Sequence, residues 1–343
     1  MRRLLNTLYI TSEDSYLALD GENVIIKKDE ETTARFPLHT LETIITFAYA
    51  GASPALMGAC AEKGVSLCFC TPRGRFLARA VGESNGNVYL RRRQYRIADS
   101  EKESVGIASS MLIGKVYNCR RNIERAIRDH GMRIDAAGLK SVSDSLKDSM
   151  QKLRSAQSRE ELRGLEGDAA SKYFSVFDEL ILRSKDSFYY HGRSRRPPLN
   201  NVNALLSFVY MLLASACTNA LEANGLDSFV GFLHTDRPGR HSLALDLMEE
   251  LRPCIADRFV LTLINNRVMK PEDFIRTESA AVTIKDDARK VLLSSWQERK
   301  RETISHPFLD EKIPVGLIPY VQAQLLARYL RGDLEEYPPF LLK

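Results

Sequence analysis

The sequence predicts an α+β protein in which a β-rich N-terminal domain with one small helix precedes a larger, mostly α-helical domain. Two observations carry this. Short alternating or β-branched runs separated by turn formers fill the first part of the chain. From about Leu90 onward apolar residues recur every three to four positions, the spacing of a helix face. A length of 343 residues suits about two domains, and 44% apolar residues are enough to fill a core in each. The boundaries fall at 1–83 for the β-rich domain, 84–100 for a linker and basic segment, and 101–343 for the helical domain.

In chain order, residues 7–11, 15–19 and 23–28 read as strands, with Asp20-Gly21-Glu22-Asn23 as the hairpin turn between the last two. Residues 41–49 give a further strand signal. Residues 54–63 read as a helix stopped by Gly64. Strands follow at 65–70 and 76–81 around the turn Pro72-Arg73-Gly74-Arg75, and the glycines and asparagines of 82–87 read as a flexible connection. Helical periodicity then covers 107–130, 134–157, 160–182 and 203–223, the last closed by Asn224-Gly225, and further helices fit 243–251, 254–266, 285–302 and 317–331. The tail 332–343, with Pro338-Pro339, has little periodicity and reads as mobile or docked on a partner.

Composition excludes several classes. Formal charge is +5, from 49 basic and 44 acidic residues, and the basic excess lies after residue 85, where a polyanion-binding surface would have to be. The most apolar long stretch, 204–217, is shorter than the roughly 20 residues that span a bilayer and reads as a buried helix. Met1-Arg2-Arg3-Leu4-Leu5 lacks the apolar region of a secretion signal. Cys60, Cys68, Cys70, Cys119, Cys217 and Cys254 show no paired zinc spacing and read as reduced packing thiols. A phosphate-cradling glycine loop, a Gly-x-Ser-x-Gly elbow and a His-Glu-x-x-His helix are all missing from the sequence.

The chemistry concentrates in acids beside apolar stretches. Glu166 lies on or beside the face marked by Leu162, Leu165, Ala169, Tyr173 and Phe177. Taken alone, it is equally well a solvated surface charge. His234 closes the apolar run Phe229 to Leu233, and taken alone it is more often a core or loop histidine than a ligand. Ser242 to Leu251 reads as a short helix with Ser242 as N-cap, ending before Pro253. Asp246 and Glu249 share one face of it, in a helix otherwise mostly apolar. Buried carboxylates need compensation, and a divalent metal is the economical way to supply it. Basic clusters at Arg91-Arg92-Arg93, at Arg193, Arg195 and Arg196, and at Arg237 and Arg240 are candidate phosphate contacts, each also readable as a solvated surface.

The run Gly231-Phe232-Leu233-His234, its loop, and Ser242 to Pro253 resemble the metal-site signature of the CRISPR-associated endonuclease and integrase family, the larger core subunit of spacer acquisition. Arg195-Arg196-Pro197-Pro198 with Asn200 and Asn203 is similar to the family's arginine-proline-asparagine stretch. Thr7-Leu8-Tyr9-Ile10 and Gly64-Val65-Ser66-Leu67 fit its N-terminal domain. The resemblance covers essentially the whole chain in order and is closest to subtype I-C.

It implies that Glu166, His234 and Glu249 are the catalytic metal ligands, although many members carry aspartate where this chain has Glu249. Asp246 takes the place of a supporting acid, with direct ligation left open. The oxygen and imidazole donors suit Mg2+ or Mn2+. The implied reaction joins the 3′-hydroxyl of a captured DNA fragment to a CRISPR repeat by transesterification. The implied assembly is a cytoplasmic homodimer, formed through the N-terminal domain, that joins a small ferredoxin-like adaptation protein on DNA. DNA contacts fall to Arg91, Arg92, Arg195, Arg196 and Arg237, with Arg237 matching a basic position of the family. The residues themselves leave two alternatives: a stand-alone metal nuclease acting on branched DNA in repair, and a non-enzymatic DNA-binding scaffold.

Overall fold

The computed structural model describes residues 6–12, 14–29, 31–71, 76–82 and 88–342. The turn expected at 72–75 and most of the connection at 82–87 lie outside these residues. The chain divides into two compact units, Met1–Asn85 with Ile284–Glu302, and Gly86–Thr283 with Thr303–Lys343.

The first unit contains strands β1 (Thr7–Ile10), β2 (Tyr16–Asp20), β3 (Asn23–Lys28), β4 (Glu31–Pro37) and β5 (Thr43–Thr46), helix α1 (Pro54–Lys63), and strands β6 (Ser66–Cys70) and β7 (Phe76–Ala80). One sheet runs in the order β1-β5-β6-β7, parallel except for the last pair, and the other is the antiparallel set β2-β3-β4. Gly21 makes the β2–β3 turn with φ of 57°, a conformation glycine enters without strain. Leu17, Val24, Leu38, Ile44, Leu56 and Leu67 form the core. Helix α1 starts where Ser53 accepts the Leu56 N–H at 3.2 Å and ends at Gly64 in the left-handed region. Strand β4 has no counterpart in the sequence reading because it is exposed almost throughout, so no apolar alternation marks it.

The rest of the chain is mainly helical: α2 (Val88–Asp99), α3 (Glu101–His130), α4 (Ala136–Ser155), α5 (Arg159–Ser175), α6 (Asn201–Ala223), α7 (Ser242–Leu251), α8 (Arg258–Asn265), α9 (Asp286–Arg301) and α10 (Ile318–Arg331). Helix α2 occupies most of the segment read from sequence as a linker. Helix α9 joins the first unit, although its sequence position suggested the helical domain. Arg289 lies over the Phe47 ring at 5.3 Å and Lys300 donates to Thr7 Oγ1 at 3.1 Å, contacts that local periodicity does not reveal.

In the second unit, α3 is central and packs against α4, α5 and α7. Gly114 permits the approach of α7 and of the tail, since a Cβ there would stand 2.9 Å from Glu250 Cβ and 3.1 Å from Pro339 Cβ. Helix α6 has 23 residues and is long and apolar enough to cross a membrane by length and composition. Burial rather than shortness identifies it as a core helix, for Val202, Leu205, Leu206, Val209 and Leu221 are enclosed by the fold. A π-helical turn, Arg252–Asp257, carries the chain past Pro253 from α7 to α8.

The tail also departs from its sequence reading: it docks on its own chain. Asn118 of α3 donates to Phe340 O at 2.8 Å and accepts the Leu342 N–H at 2.9 Å. Tyr337 and the Phe340 N–H both donate to Glu250 of α7. All six cysteines are buried thiols, none in a disulfide.

Candidate metal centre

Three helices bring the acids together. Glu166 follows Leu162 by one turn on α5 and precedes Ala169 and Tyr173, all three buried, so its side chain leaves the inner face of that helix and stays 27% exposed. Asp246 and Glu249 both point inward from α7, a helix buried on nearly every side. Between α5 and α7 stands Lys115 of α3, only 6% exposed. It pairs with Glu166 and lies 2.6 Å from Glu249 Oε2. Arg252 Nη2 holds the other Glu249 oxygen at 2.9 Å.

Burial alone would raise the Glu249 carboxyl, but Arg252 and Lys115 outweigh it and hold the group down at about 2. Burial likewise works against the Lys115 ammonium, and Glu249 with Glu166 more than restores it. Glu249 Oε2 has no hydrogen-bond partner of ordinary geometry beyond its close contact with the Lys115 ammonium.

Asp246 has a different task. Its Oδ2 accepts the N–H groups of Phe232 at 2.6 Å and Leu233 at 2.9 Å. Its Oδ1 accepts the His234 N–H at 3.0 Å and meets His234 Nδ1 at 2.6 Å. Four partners occupy this buried carboxylate, which folds the segment leading to His234 and turns the imidazole. With Nδ1–H donating to Asp246, the lone pair sits on Nε2, the arrangement a histidine ligand needs. Gly231 makes the close approach possible, because a Cβ there would fall 2.7 Å from Asp246 Oδ2. Ser242 is not the N-cap expected of it: His241 takes that position and Ser242 Oγ donates to Thr235 O at 3.1 Å.

Arginines and tyrosines wall the centre. Arg252 lies 4.9 Å and Arg193 5.5 Å from the Tyr210 ring centroid, and Tyr210 donates to the buried Asp257 at 2.5 Å. Burial pushes the Asp257 carboxyl up to about 6 against the pull of Tyr210 and Arg252. Arg193 donates to Asn203 Oδ1 at 2.8 Å, and Asn203 Nδ2 donates to Gly192 O at 2.9 Å, so this asparagine folds the loop that carries Arg195 and Arg196. Both of those arginines, and Arg237, are exposed. Arg92 is exposed and Arg91 partly so on α2, whose Gln94 donates to Asp227 O and Val230 O at 2.8 Å each, just before the segment that reaches His234. A cavity of about 390 Å3 elsewhere in this unit, lined by Arg125, Arg133, Arg183 and Arg258, contains none of the acids of the centre.

Among the described residues no three His, Cys, Asp or Glu side chains stand together as a ready metal cage. Lys115 lies between Glu166 and Glu249, and His234 faces Asp246 through Nδ1. The donor set nevertheless fits a divalent cation: two carboxylates already converge on one cationic group, and Glu249 Oε2 has acceptor capacity to spare. Sequence reasoning missed Lys115, Arg252 and Tyr210. Lys115 had a signal, since it interrupts the apolar stripe Met111, Leu112, Val116 and Cys119 on α3, where an unpaired ammonium is costly.

A family model, CRISPR associated protein Cas1, matches residues 8–298. CRISPR-associated endonuclease Cas1 1 of Chlorobaculum tepidum is 49% identical over 341 residues, 99% of each chain. CRISPR-associated endonuclease Cas1 2 of Rhodospirillum rubrum is 49% identical over 347 residues, covering all of both chains. Two solved structures share the fold: a casposase bound to integration product, with TM-score 0.83 at 23% identity over 98% of this chain and 94% of that one, and a chain of a Cas6-RT-Cas1–Cas2 complex, with TM-score 0.82 at 23% identity over 98% of this chain and 36% of that one. The family model and these relatives together define the class as DNA endonucleases. Within that class, this chain belongs to the Cas1 family of CRISPR-associated proteins.

Proposed function

We propose that this chain is a metal-dependent DNA endonuclease and integrase that inserts captured DNA fragments as spacers into a CRISPR array by transesterification. The observation that carries the proposal is the meeting of Glu166 and Glu249, from separate helices, at one buried cation beside a histidine oriented by Asp246. Glu166, His234 and Glu249 are the residues that would hold Mg2+ or Mn2+. Such an ion supplies polarisation of the target phosphate and an easier deprotonation of the attacking hydroxyl.

The chain's own residues do the rest. Asp246 fixes the rotation of the His234 ring. Arg252 and Lys115 keep Glu249 ionised. Exposed Arg237, Arg195, Arg196 and Arg92, with the partly exposed Arg91, would engage phosphate oxygens with paired N–H donors. With the 3′-hydroxyl of a fragment as nucleophile the outcome is a joint, and with water it is cleavage.

In this reading, residues 1–83 serve dimerisation, helix α2 is a basic segment of the helical unit, and 101–343 apart from α9 carry the catalytic centre. The homodimer works in the cytoplasm on a captured fragment and a CRISPR repeat, together with a small ferredoxin-like adaptation protein, in a subtype I-C system. The two structural neighbours, a casposase bound to an integration product and a Cas6-RT-Cas1–Cas2 complex, are in keeping with it.

The test is to incubate wild type, Glu166→Ala and His234→Ala with a 3′-hydroxyl duplex, a repeat-bearing supercoiled plasmid, the small partner and Mn2+. Covalent fragment-to-plasmid joints from wild type alone, with both variants folded and binding DNA, support the proposal. Joints from either variant place the centre wrongly, and cleavage without joining favours the stand-alone nuclease.

A further inference from the structure

Lys115 belongs to neither the ligand set nor the DNA-contacting arginines, yet it touches two of the three proposed ligands. Its surroundings on α3 are apolar, with Met111, Leu112, Val116 and Cys119 all buried. An ammonium is not carried into such a place without a strong local reason. The charges supply one. Glu166 and Glu249 contribute two negative charges, and Lys115 and Arg252 two positive ones, so the four groups are balanced without any bound ion. Arg252 takes the Glu249 Oε1 side and also serves Tyr210, whereas Lys115 alone bridges both carboxylates.

We infer that Lys115 is the built-in counter-cation of the centre, holding Glu166 and Glu249 together in the metal-free protein and weakening divalent-ion binding by occupying the same carboxylates. This rests on the metal-centre reading above and adds the device that governs its affinity. An ion of charge two entering a balanced cluster meets a positive group at its binding oxygens. The same ion entering a cluster without Lys115 meets a net negative one. Removing the lysine therefore has two opposite effects: the metal-free protein is destabilised by adjacent uncompensated carboxylates, and the ion binds more tightly. A residue that only packs or positions the helices gives the reverse second effect, because loosened carboxylates bind an ion more weakly.

The experiment uses the full chain and reads Mn2+ affinity directly, by electron paramagnetic resonance of free Mn2+, with thermal melts in EDTA and in saturating Mn2+. Lys115→Met, which keeps the chain length and removes the charge, should bind Mn2+ about tenfold more tightly than wild type. It should also melt lower in EDTA and gain more from Mn2+ than wild type gains, as tighter binding to the folded state requires. Lys115→Arg, which keeps the charge, should stay near wild type in affinity. Folding of Lys115→Met only when Mn2+ is present supports the inference as well. If that variant folds under neither condition, Lys115→Gln carries the same comparison.

Unchanged or weaker Mn2+ binding in a folded, charge-free variant overturns the role of Lys115. Glu166→Gln separates the two levels. If it abolishes wild-type Mn2+ binding while the lysine variants bind no more tightly, the metal centre stands and only the counter-cation is lost. If Glu166→Gln leaves Mn2+ binding intact, the centre and the inference fall together.

Discussion

Removing one hydroxyl, in Tyr337→Phe, tests how the C-terminal segment is fastened to the helix that carries the candidate ligands. Glu250 is fully buried on α7, next to Glu249. Its Oε1 accepts from Tyr337 at 2.5 Å and from Gln322 at 2.9 Å, and its Oε2 accepts the Phe340 N–H at 2.8 Å. Burial raises its carboxyl and these donors pull it back, leaving it at about 7 against an ordinary 4.5. Because the folded value lies above the unfolded one, the unfolded chain gives up this proton first. Stability from Glu250 is therefore fully present below about pH 4.5 and is lost as pH rises to about 7, by about 3 kcal/mol.

The lost tyrosine bond is worth about 1.5–3 kcal/mol when Glu250 is ionised and about 0.5–1.5 kcal/mol when it is protonated. Tyr337→Phe should then lower the melting temperature of the helical unit by roughly 4–8 °C at about pH 8, and by half of that or less at about pH 6. Thermal melts of both proteins at the two pH values decide it. An equal loss at both, or none, refutes the argument that this hydroxyl holds a titrating Glu250.

Three further predictions follow from the centre. Asp246→Ala leaves three backbone N–H groups and the His234 ring without their acceptor, so denaturant melts should show a loss on the order of 4 kcal/mol and Mn2+ binding should weaken by more than about tenfold. Glu249 has the opposite pH sign to Glu250: its carboxyl is held at about 2, below the ordinary 4.5. Its contribution, about 3 kcal/mol, is present above about pH 4.5 and lost as pH falls toward 2, so Glu249→Gln should flatten the acid limb of a stability-against-pH curve. Replacing Arg195, Arg196 and Arg237 by alanine should weaken binding to any DNA sequence and lower the slope of log affinity against log salt by about one for each lost phosphate contact. An unchanged slope would remove these residues from the DNA surface.

Much of the helical unit was legible because its apolar faces repeat at helical spacing, as in α3 and α6. Asp246 and Glu249 stand where the apolar face of α7 ought to continue, whereas Glu166 reads equally well as a surface charge and was singled out by the family resemblance. What local pattern does not encode is which face meets which. Helix α9 was recognised, but its packing through Arg289 and Lys300 on Phe47 and Thr7 joins residues about 240 or more positions apart. The docking of the tail is illegible for a similar reason, since Tyr337 and Phe340 are held by hydrogen bonds with Glu250, Gln322 and Asn118, and polar docking leaves no periodic trace. Lys115 leaves the same kind of trace as the acids, since a lone lysine in an apolar stripe also marks a buried charge that needs a partner.

Helix α7 shows why the candidate centre sits where it does. Asp246, Glu249 and Glu250 are all buried within a ten-residue helix, and each is compensated by a different kind of partner. Asp246 is answered by backbone N–H groups and one imidazole, which cannot leave without unfolding the approach to His234. Glu250 is answered by neutral donors from α10 and the tail, which fasten the opposite side of the helix. Any sliding of α7 would orphan one of these two carboxylates, so the backbone position of Glu249 is fixed from both sides. Glu249 itself is answered by the mobile heads of long side chains, Lys115 and Arg252. Those are partners that a metal ion can replace without moving the helix. Exposure is graded across the proposed ligands: Glu166 and His234 keep 27% and 24% of their side-chain surface and Glu249 keeps 5%, so Glu249 is the deepest of the three.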